Sequence, residues 1–554
     1  MDPITRPLRF GVLGRGTTFA RWEARCLGAL LALPDVRPAL LLQCDRGAGL
    51  DPAAGRPLLF RAAARLPRPT AWHHVDLASR LEGIPSVQCR GPAVGERSFE
   101  LDPTAVQRVQ EERLDFVLQF GPQEVRGDGL RAPRHGVWRF RFGERNEGGG
   151  GPPGFWEVCR GEFATGAALV RLADREDADV VLRKGFFRTS LESFARTVDA
   201  VLLGVVDWPA SVCRDLRAGD AGYLDAPPSP VGLPEMPPPT NAETVRLLGL
   251  EAARTVGALY RGLVRHDDWT IGVVDAPIRA FLERDFRPAV GWIPPPGDAR
   301  FIADPFGLEI DGDLSIVYED FDYRTARGTI AAIPAGEAVP RTAPRVAIEL
   351  TVPSSYPFLF HHDANVYCIP ETHAAREVSL YRLVEFPDRW DKVATLLRGI
   401  AAVDSTVFPH DGRWWLMCTD HDQGENLRLF IWHAPRLEGP WEPHAANPVK
   451  TDIRSSRPGG TPFVHAGALY RPAQDCSRTY GGRIVINRVA RLTPTAFEEE
   501  TVAAVGPLSG TRFPEGVHTL SAVGERTVLD GKRYRFMPRA VPYVVRRGLA
   551  GARP

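Results

Sequence analysis

The sequence lacks the features of membrane-spanning and secreted proteins. No stretch approaches the ~18 uninterrupted apolar residues of a spanning helix, and no signal-peptide core follows Met1. Its 68 basic and 68 acidic residues cancel, so charge gives no argument for a nucleic-acid or anionic-membrane partner. The eight cysteines form no Cys-x-x-Cys pair or metal-like spacing. We therefore expect a soluble, cytoplasmic protein with reduced thiols, no metal and no nucleic-acid partner.

What the chain has in quantity is length, glycine and proline. Its 554 residues exceed what one hydrophobic core serves, and its 53 glycines and 50 prolines suit turn-rich β architecture. Changes in pattern divide it into an α/β domain (1–216), a proline-rich linker with a connecting helix (217–267) and a β domain (268–545).

The β domain contains a repeat of roughly 40–50 residues. Each unit places an Xaa-Gly turn, such as Asp311-Gly312, Asp411-Gly412 or Asp530-Gly531, beside short strands. Five units predict a five-bladed β-propeller, with the strand Trp269–Val274 expected to complete the last blade. The units begin at Ala303-Asp304-Pro305-Phe306, Ser355-Tyr356-Pro357-Phe358, Val403-Asp404-Ser405-Thr406, Arg457-Pro458-Gly459-Gly460 and Gly516-Val517-His518.

The first domain has the order of a parallel sheet. Apolar strands at 8–13, 39–44 and 114–121 alternate with helical segments, which predicts parallel strands with right-handed crossovers. The glycines of 11–16 do not have the Gly-x-Gly-x-x-Gly spacing of a dinucleotide loop, and no cofactor is predicted.

Two helices are predicted before the β domain. The first starts at Ser193 with one apolar face. The second is predicted to have Asn241 as its N-cap. Its apolar stripe is expected to pack the two domains together and consists of Val245, Leu248, Ala252, Val256, Leu259 and Leu263.

The first domain resembles the folate-dependent formyltransferases over roughly residues 8–200. Gly136–Gly143 is similar to that family's strand carrying Asn-x-His, Gly150–Val158 to its Gly-x-x-Pro-x-x-Trp loop, and Thr165-Gly166 to its Thr-Gly. The resemblance implies a Rossmann-like, formyltransferase-like fold. It also implies a catalytic aspartate somewhere within 174–179.

The same resemblance breaks down at the chemistry. Arg139 and Arg141 occupy the positions of the asparagine and histidine, and a guanidinium is always charged and cannot act as a base. We expect the fold without formyl transfer. The two arginines either bind an anion or pair at the surface with Glu144 or Glu147.

Polar residues occupy the inner positions of the β repeat. They are Asp304, Tyr356, Asp404, Arg457 and His518, where an ordinary core has Val or Ile. Because inner strands of a propeller line one axis, we predict a site there. Purely structural roles stay open: turn capping for the aspartates, packing for the tyrosine, ion pairing for the arginine, and internal hydrogen bonding for the histidine.

Ala303-Asp304-Pro305-Phe306 resembles the first-blade motif of five-bladed arabinanase/β-xylosidase-type glycosidases. Val403–Phe408 is similar to their Ile-Asp-Pro-Ser-Val-Phe segment. Glycoside cleavage needs a carboxylic acid and a carboxylate, and the resemblance implies Asp304 as the base and Asp404 as modulator of the acid. The Glu-Gly-Pro acid motif of that family is absent, and Glu371 is the substitute candidate.

A closer resemblance, over roughly residues 268–545, is to the propeller-like N-terminal domain of the plant glucosamine inositolphosphorylceramide transferases and bacterial relatives. It rests on Ser355–Phe358, Ile369–Thr372, Leu380–Arg382, Tyr470–Asp475 and Tyr480-Gly481. It implies glycan or glycolipid assembly. Gln474 and Asp475 join the candidate substrate-binding residues. Trp415 is a candidate stacking face for a sugar, together with Trp414, Trp432, Tyr470 and Tyr480.

Three functional hypotheses stay open. The first is an enzyme that hydrolyses or transfers a glycosyl group with Asp304, Glu371 and Asp404 as base, acid and modulator. The second is a non-catalytic sugar-binding or scaffold protein. The third is formyl or acyl transfer to an amino sugar. The partner in each case is a glycan or a sugar-containing small molecule.

Overall fold

The computed structural model describes residues 6–44, 57–63, 68–89, 91–94, 98–121, 123–142, 152–175, 178–225, 227, 239–297, 299–310, 312–339, 343–508 and 510–543. The chain divides into two compact units, Met1–Val256 and Gly257–Pro554. Among the described helices, none combines the length and apolar character that a membrane crossing demands.

Unit 1 is built on a mixed sheet with helices. Its strands are β1 (Leu8–Gly14), β2 (Thr18–Ala20), β3 (Val36–Gln43), β4 (His74–Asp76), β5 (Ser86–Gln88), β6 (Ala93–Val94), β7 (Ser98–Glu100), β8 (Phe116–Gln119), β9 (Glu124–Arg126), β10 (Val137–Phe142), β11 (Ala164–Arg171) and β12 (Val180–Arg188). Its helices are α1 (Arg21–Leu31), α2 (Leu58–Ala63), α3 (Pro103–Glu111), α4 (Phe155–Arg160), α5 (Phe194–Gly204), α6 (Trp208–Ala218) and α7 (Asn241–Val264), the last of which crosses the division between the units.

The central strands of unit 1 are parallel, as the sequence predicts. β5, β3, β1, β8 and β10 pair in parallel, and β11 and β12 extend the sheet as antiparallel strands. The predicted apolar face of α5 is buried through Phe194, Val198 and Leu202, and the Ser193 hydroxyl caps the helix by accepting from Arg196 N.

The prediction for α7 is wrong in two respects. Thr240, not Asn241, closes the N-terminus, because its hydroxyl accepts from Glu243 N while the Glu243 carboxylate accepts from Thr240 N. The described side chains of the predicted apolar stripe are exposed, Val256 to 67%. The helix instead packs through the buried Leu247, and Arg254 donates to Val158 O.

Unit 2 is a multi-sheet, β-propeller-like arrangement of antiparallel strands. They are β13 (His266–Val274), β14 (Gly291–Trp292), β15 (Arg300–Ile310), β16 (Asp313–Asp322), β17 (Arg327–Ile333), β18 (Val346–Ile348), β19 (Ser355–His362), β20 (Asn365–Glu371), β21 (Glu377–Glu385), β22 (Arg389–Arg398), β23 (Ala402–His410), β24 (Arg413–Asp420), β25 (Arg428–Ala434), β26 (Glu442–Pro443), β27 (Lys450–Asp452), β28 (Phe463–His465), β29 (Ala468–Asp475), β30 (Arg483–Leu492), β31 (Phe497–Val505), β32 (Leu520–Val523) and β33 (Arg526–Arg535).

These strands form four four-stranded sheets and one further group. The sheets are β15–β18, β19–β22, β28–β31 and the composite β14-β13-β33-β32. The further group is β23-β24-β25, with β26 and β27 paired to β25. β13 pairs with β33 along its whole length, so the strand that the sequence predicts to complete the last sheet does so.

The hydrophobic cores of unit 2 lie between successive sheets. Phe306 and Val317 pack with Phe358 and Cys368 in one such core. Four equivalent cores bring together Ile369 with Leu416, Trp415 with Leu469, Ile484 with Leu529, and Ile271 with Ile302. Each sheet is therefore apolar on both faces, as expected for strands that are covered on both sides.

A bulge recurs at the first strand of three sheets. The strand register shifts at Asp304-Pro305, at Tyr356-Pro357 and at Asp404-Ser405, and Asp304, Tyr356 and Asp404 all have positive φ, between 40° and 53°. A bulge changes the direction of the side chain at the register shift relative to a regular strand. It therefore turns the same repeat position of each strand in the same way.

Two of the predicted turns need comment. Asp411-Gly412 forms a hairpin turn with positive φ at both residues, whereas Asp311 lies outside the described residues. The predicted turn at Asp530-Gly531 is wrong, because both residues lie inside β33, opposite Ile271 and Thr270. A Cβ on Gly531 would lie 2.3 Å from the Trp292 ring, so packing rather than a turn requires this glycine.

We predict that Gly460→Ala destabilises unit 2. A Cβ at Gly460 would lie 1.9 Å from Leu520 O, and its φ is +133°. The expected loss is at least about 3 kcal/mol, measured by hydrogen exchange in urea on peptides covering β13 and β33. The matched control is Gly467→Ala, where φ is +77° but nothing lies within 4 Å, and about 1 kcal/mol is expected. Equal losses in the two variants would contradict the prediction.

Candidate functional site

Ionised side chains from several sheets of unit 2 meet at the bulges. Asp304 on β15 receives hydrogen bonds from Thr519 Oγ1 at 2.7 Å and from Tyr356 N at 3.3 Å. Its own backbone N–H donates to Asp530 Oδ2 at 3.2 Å. These contacts hold Asp304 in the left-handed conformation that a non-glycine residue rarely adopts.

His518 joins the two aspartates. Its Nε2 lies 3.2 Å from Asp304 Oδ1 and its Nδ1 lies 2.8 Å from Asp530 Oδ2, although the second contact is poorly aligned for a hydrogen bond. Burial alone would lower the pKa of His518, but Asp530 and Asp304 raise that pKa to about 10. His518 is therefore an imidazolium at neutral pH. Burial raises the pKa of Asp304, but the charge of His518 lowers that pKa overall.

This triad also has the composition of a metal site, since one ligand atom from each residue lies within 4.8 Å of the others. The geometry does not suit a shared ion, because the two imidazole nitrogens face different carboxylates. The carboxylate oxygens already accept from His518 N, Thr519 and Tyr356 N. We interpret the triad as an ion cluster in which two carboxylates share one imidazolium.

A second cluster surrounds Asp404 on β23. Arg457 binds its carboxylate in bidentate fashion at 2.6 and 3.2 Å, and Gln474 donates to Asp404 Oδ2 at 2.6 Å. Burial raises the pKa of Asp404 and the Arg457 guanidinium opposes that rise. Burial lowers the pKa of Arg457, but Asp404 raises that pKa overall. Bidentate pairing of this kind gives both strength and orientation.

Glu371, at the end of β20, connects the second cluster to solvent. Glu371 Oε2 accepts from Asp404 N at 3.2 Å and lies 4.0 Å from Arg457 Nη2. Glu371 Oε1 lies 2.8 Å from His373 Nδ1, and that histidine is 35% exposed. Burial raises the pKa of Glu371, but His373 and Arg457 lower it overall. These contacts favour the carboxylate, the opposite of what the predicted proton donor requires.

Tyr356 links the clusters across the unit. Its hydroxyl accepts from Gly460 N at 2.8 Å and shares a hydrogen bond with Thr406 Oγ1 at 3.0 Å. Tyr480 covers the same region, with its ring 5.0 Å from the Arg457 guanidinium and 5.2 Å from the His518 ring. Seven of the nine predicted site residues are thus brought together: Asp304, Tyr356, Glu371, Asp404, Arg457, Gln474 and His518.

Two predicted site residues do not join them. Trp415 is buried between β24 and the next sheet, where it packs in a cluster with Leu469 and its indole N–H donates to His410 O. It is not the exposed stacking face that the sequence suggested. Asp475 follows Gln474 on β29 and therefore points to the other side of the strand. It binds Ser477 and Arg483 instead.

Sequence reasoning missed Asp530, Thr519 and Glu319. The sequence predicts a turn at Asp530, because Asp-Gly is the usual hairpin signal. Glu319 is a half-buried residue of β16 opposite Ala303. The available signal for Glu319 is a carboxyl group that directly follows the buried residues Ile316, Val317 and Tyr318 of β16.

In unit 1, the residues at the formyltransferase-like positions are committed to ion pairs. Arg141 pairs with Glu124 at 2.5 Å and with Asp179 at 2.7 Å, and Arg139 lies 3.4 Å from Glu124. Both arginines are largely buried, not at the surface as predicted. Glu144 and Glu147, their predicted partners, lie outside the described residues, as do Gly143, Gly150, Gly151, Glu176 and Asp177.

Residues 296–509 match the family model described as glucosamine inositolphosphorylceramide transferase 1, N-terminal. The chain is 34% identical over 251 residues to a protein of that name from Oryza sativa subsp. japonica, covering 42% of this chain and 34% of the relative. The namesake from Arabidopsis thaliana is 34% identical over 211 residues, covering 37% and 27%. The chain thus spans about a third of the length of the curated relatives it matches.

Solved structures are similar to this chain at low identity. The family 117 glycoside hydrolase Zg3597 from Zobellia galactanivorans is 12% identical with a TM-score of 0.30, covering 49% of this chain and 91% of its own. Glycinamide ribonucleotide transformylase 1 from Symbiobacterium toebii is 14% identical with a TM-score of 0.26, covering 40% and 90%.

We predict that His518 stabilises unit 2 at neutral pH and that this contribution to the free energy of unfolding is lost at alkaline pH. Because its pKa rises from 6.5 unfolded to about 10 folded, its contribution is complete below about pH 6.5 and is lost as pH rises through about 10. The difference in unfolding free energy between wild type and His518→Gln should therefore shrink across this range, measured by hydrogen exchange on β33 peptides. Asp530→Asn should move the decline to lower pH. A difference that stays constant from pH 6 to 10 would contradict the prediction.

We predict strong coupling between Arg457 and Asp404. Arg457→Leu leaves a buried carboxylate without its cation and should cost about 3–5 kcal/mol. The double variant Arg457→Leu/Asp404→Leu should recover a large part of this loss, because the uncompensated charge is gone. A double-mutant cycle from unfolding measurements provides the test, and simple additivity of the two single losses would count against it.

Proposed function

We propose that unit 2 is a five-bladed propeller that binds a glycosyl compound at the Asp304–Asp404 clusters and hydrolyses or transfers the glycosyl group. The observation that carries the proposal is the convergence of Asp304, Glu371 and Asp404, which lie far apart in the sequence, with Arg457 and His518. Buried carboxylates of this density are costly unless paired. They are typical of sites that handle protons on a polar substrate.

The packing between sheets supports the proposal of five blades. The group β23-β24-β25 supplies the fifth blade, and the five inter-sheet cores join each blade to the next one. Hydrogen bonds between the segments at the start of successive blades support the same arrangement. Tyr356 N donates to Asp304, Gly460 N to Tyr356 Oη, and Leu520 N to Gly459 O. We infer that β13 closes this ring by pairing with β33.

Asp304 is our candidate for the general base and Asp404 for the residue that orients the site. The imidazolium of His518 keeps Asp304 ionised at neutral pH, as a base requires. Asp404 holds Arg457, whose guanidinium lies 4.0 Å from Glu371. Glycosidic bond cleavage needs an ionised carboxylate and a second, protonated carboxyl group.

The substrate class is proposed from the relatives. The C-terminal region is similar to proteins named glucosamine inositolphosphorylceramide transferase, and we infer a glycan or glycolipid substrate and a role in glycoconjugate synthesis. We propose a formyltransferase-like fold for unit 1 without the chemistry of that family. A cytoplasmic location is supported by the eight cysteines, which are buried and form no disulfide in the described part of the chain.

A second candidate function is sugar binding without catalysis. Burial of Asp304 and Asp404 favours it, since both carboxylates are almost fully buried and their oxygens already have partners. Formyl or acyl transfer is not supported, because Arg139 and Arg141 are committed to Glu124 and Asp179 and provide no neutral base.

We predict that Asp304→Asn abolishes glycosyl turnover without unfolding the protein. The probes are aryl glycosides of glucosamine, N-acetylglucosamine, glucose, galactose, mannose, xylose and arabinofuranose. Loss of a general base should reduce kcat by at least about 100-fold, while sugar binding measured by calorimetry is retained. Asp322→Asn is the matched control, because Asp322 pairs with Arg324 at the C-terminal end of β16. Sugar binding without turnover in the wild type would favour the non-catalytic alternative. If the wild type neither binds nor turns over any of these sugars, the catalytic and the sugar-binding proposals are both overturned.

A further inference from the structure

Glu319 lies beside the Asp304 cluster on a neighbouring strand. In the antiparallel register of β15 and β16, it pairs with Ala303, the residue before the bulge. Whereas Asp304 and Asp404 are nearly inaccessible, Glu319 is only half-buried. Of these three residues, Glu319 is therefore the most exposed to solvent.

The absence of a side chain at one residue makes room for this carboxyl group. Gly328 on β17 pairs with Phe321, and a Cβ there would lie 2.3 Å from Glu319 Oε1 and 2.6 Å from Ser354 O. Any other residue at position 328 would displace the carboxyl group. Gly328 does not have a positive φ, so the conformation of the backbone does not explain this glycine.

Glu319 differs from the other carboxylates of the site because it has no partner among the described residues. Asp304 has His518, Asp404 has Arg457, and Glu371 has His373. Glu319 makes no ion pair or hydrogen bond with any residue in the described part of the chain. It is therefore free to donate to a ligand.

The charges around Glu319 favour its neutral form. The carboxylates of Asp304, Glu371 and Asp320 face it, and the His518 imidazolium offsets them in part. Burial and the first two carboxylates raise the pKa of Glu319 well above its ordinary value. Tyr480 also faces the carboxyl group. Two carboxyl groups held in opposite protonation states are the usual arrangement for an acid and a base.

We infer that Glu319, rather than Glu371, is the proton donor of this site. The inference rests on the proposed function. The Glu319 proton passes to the glycosidic oxygen as the bond from the anomeric carbon to that oxygen breaks, and the bonding electron pair stays on the leaving oxygen. Water or an acceptor hydroxyl forms the new bond to the anomeric carbon, and its proton passes to Asp304. Proton exchange with solvent restores both groups, so hydrolysis consumes one water.

Leaving-group dependence tests the assignment, with phenyl and 2,4-dinitrophenyl glycosides as probes. Glu319→Gln should lose at least about 100-fold in kcat on phenyl glycosides, which need protonation, and less than about 10-fold on dinitrophenyl glycosides, which do not. The basic limb of the pH profile should disappear in the same variant. Glu309→Gln is the matched control, because Glu309 is an exposed residue of the adjacent strand that pairs with Arg526.

A second readout needs no turnover. Among the protonated carboxyl bands in infrared spectra of the wild type at pH 7, one should be absent from Glu319→Gln and present in Glu371→Gln. If that band is unchanged in Glu319→Gln, or if the loss does not depend on the leaving group, the assignment is overturned. If the wild type turns over no glycoside while the band behaves as expected, the proposed function fails and Glu319 is a neutral acid without that reaction.

Discussion

Pairing of buried charges across sheets is the constraint on which unit 2 depends. An isolated aspartate at these positions would be too costly to bury, and two carboxylates of the clusters pair with a cation from another segment: Asp304 with His518, and Asp404 with Arg457. Loss of one partner leaves a desolvated charge rather than a gap. The apolar cores between the sheets stabilise the unit, and the ion pairs fix which strands meet at its centre.

The bulges explain why these charges meet. In a regular strand, a side chain at the bulge would lie on a sheet face and be covered by the neighbouring core. The register shift and positive φ at Asp304, Tyr356 and Asp404 turn the chain there. The backbone N–H groups of Asp304, Tyr356 and Asp404 are then satisfied by carboxylates of other strands. The strained backbone and the buried acids thus stabilise each other.

Much of the repeat could be predicted from the sequence, because short strands and turn residues recur at a regular spacing. That regularity placed Asp304, Tyr356, Asp404, Arg457 and His518 at equivalent positions, and the structure brings them together. Prediction from the sequence fails where the same residue pair can have two different structural roles. Asp530-Gly531 has the composition of a hairpin turn, yet its glycine makes room for Trp292 and its aspartate pairs with His518. Trp415 illustrates a second limit, since composition alone does not distinguish a sugar-facing indole from one packed between sheets.

The pairing of β13 with β33 has a consequence for how unit 2 is made. These strands are separated by nearly the whole unit in sequence, so their ladder is a contact of very long range. During synthesis, the segment around Trp269 leaves the ribosome long before its partner exists. Asp304 is likewise synthesised before its partners His518 and Asp530. The last-made strands therefore complete both the sheet and the charge balance, and until then the nascent chain carries an open strand edge and acids without their cation.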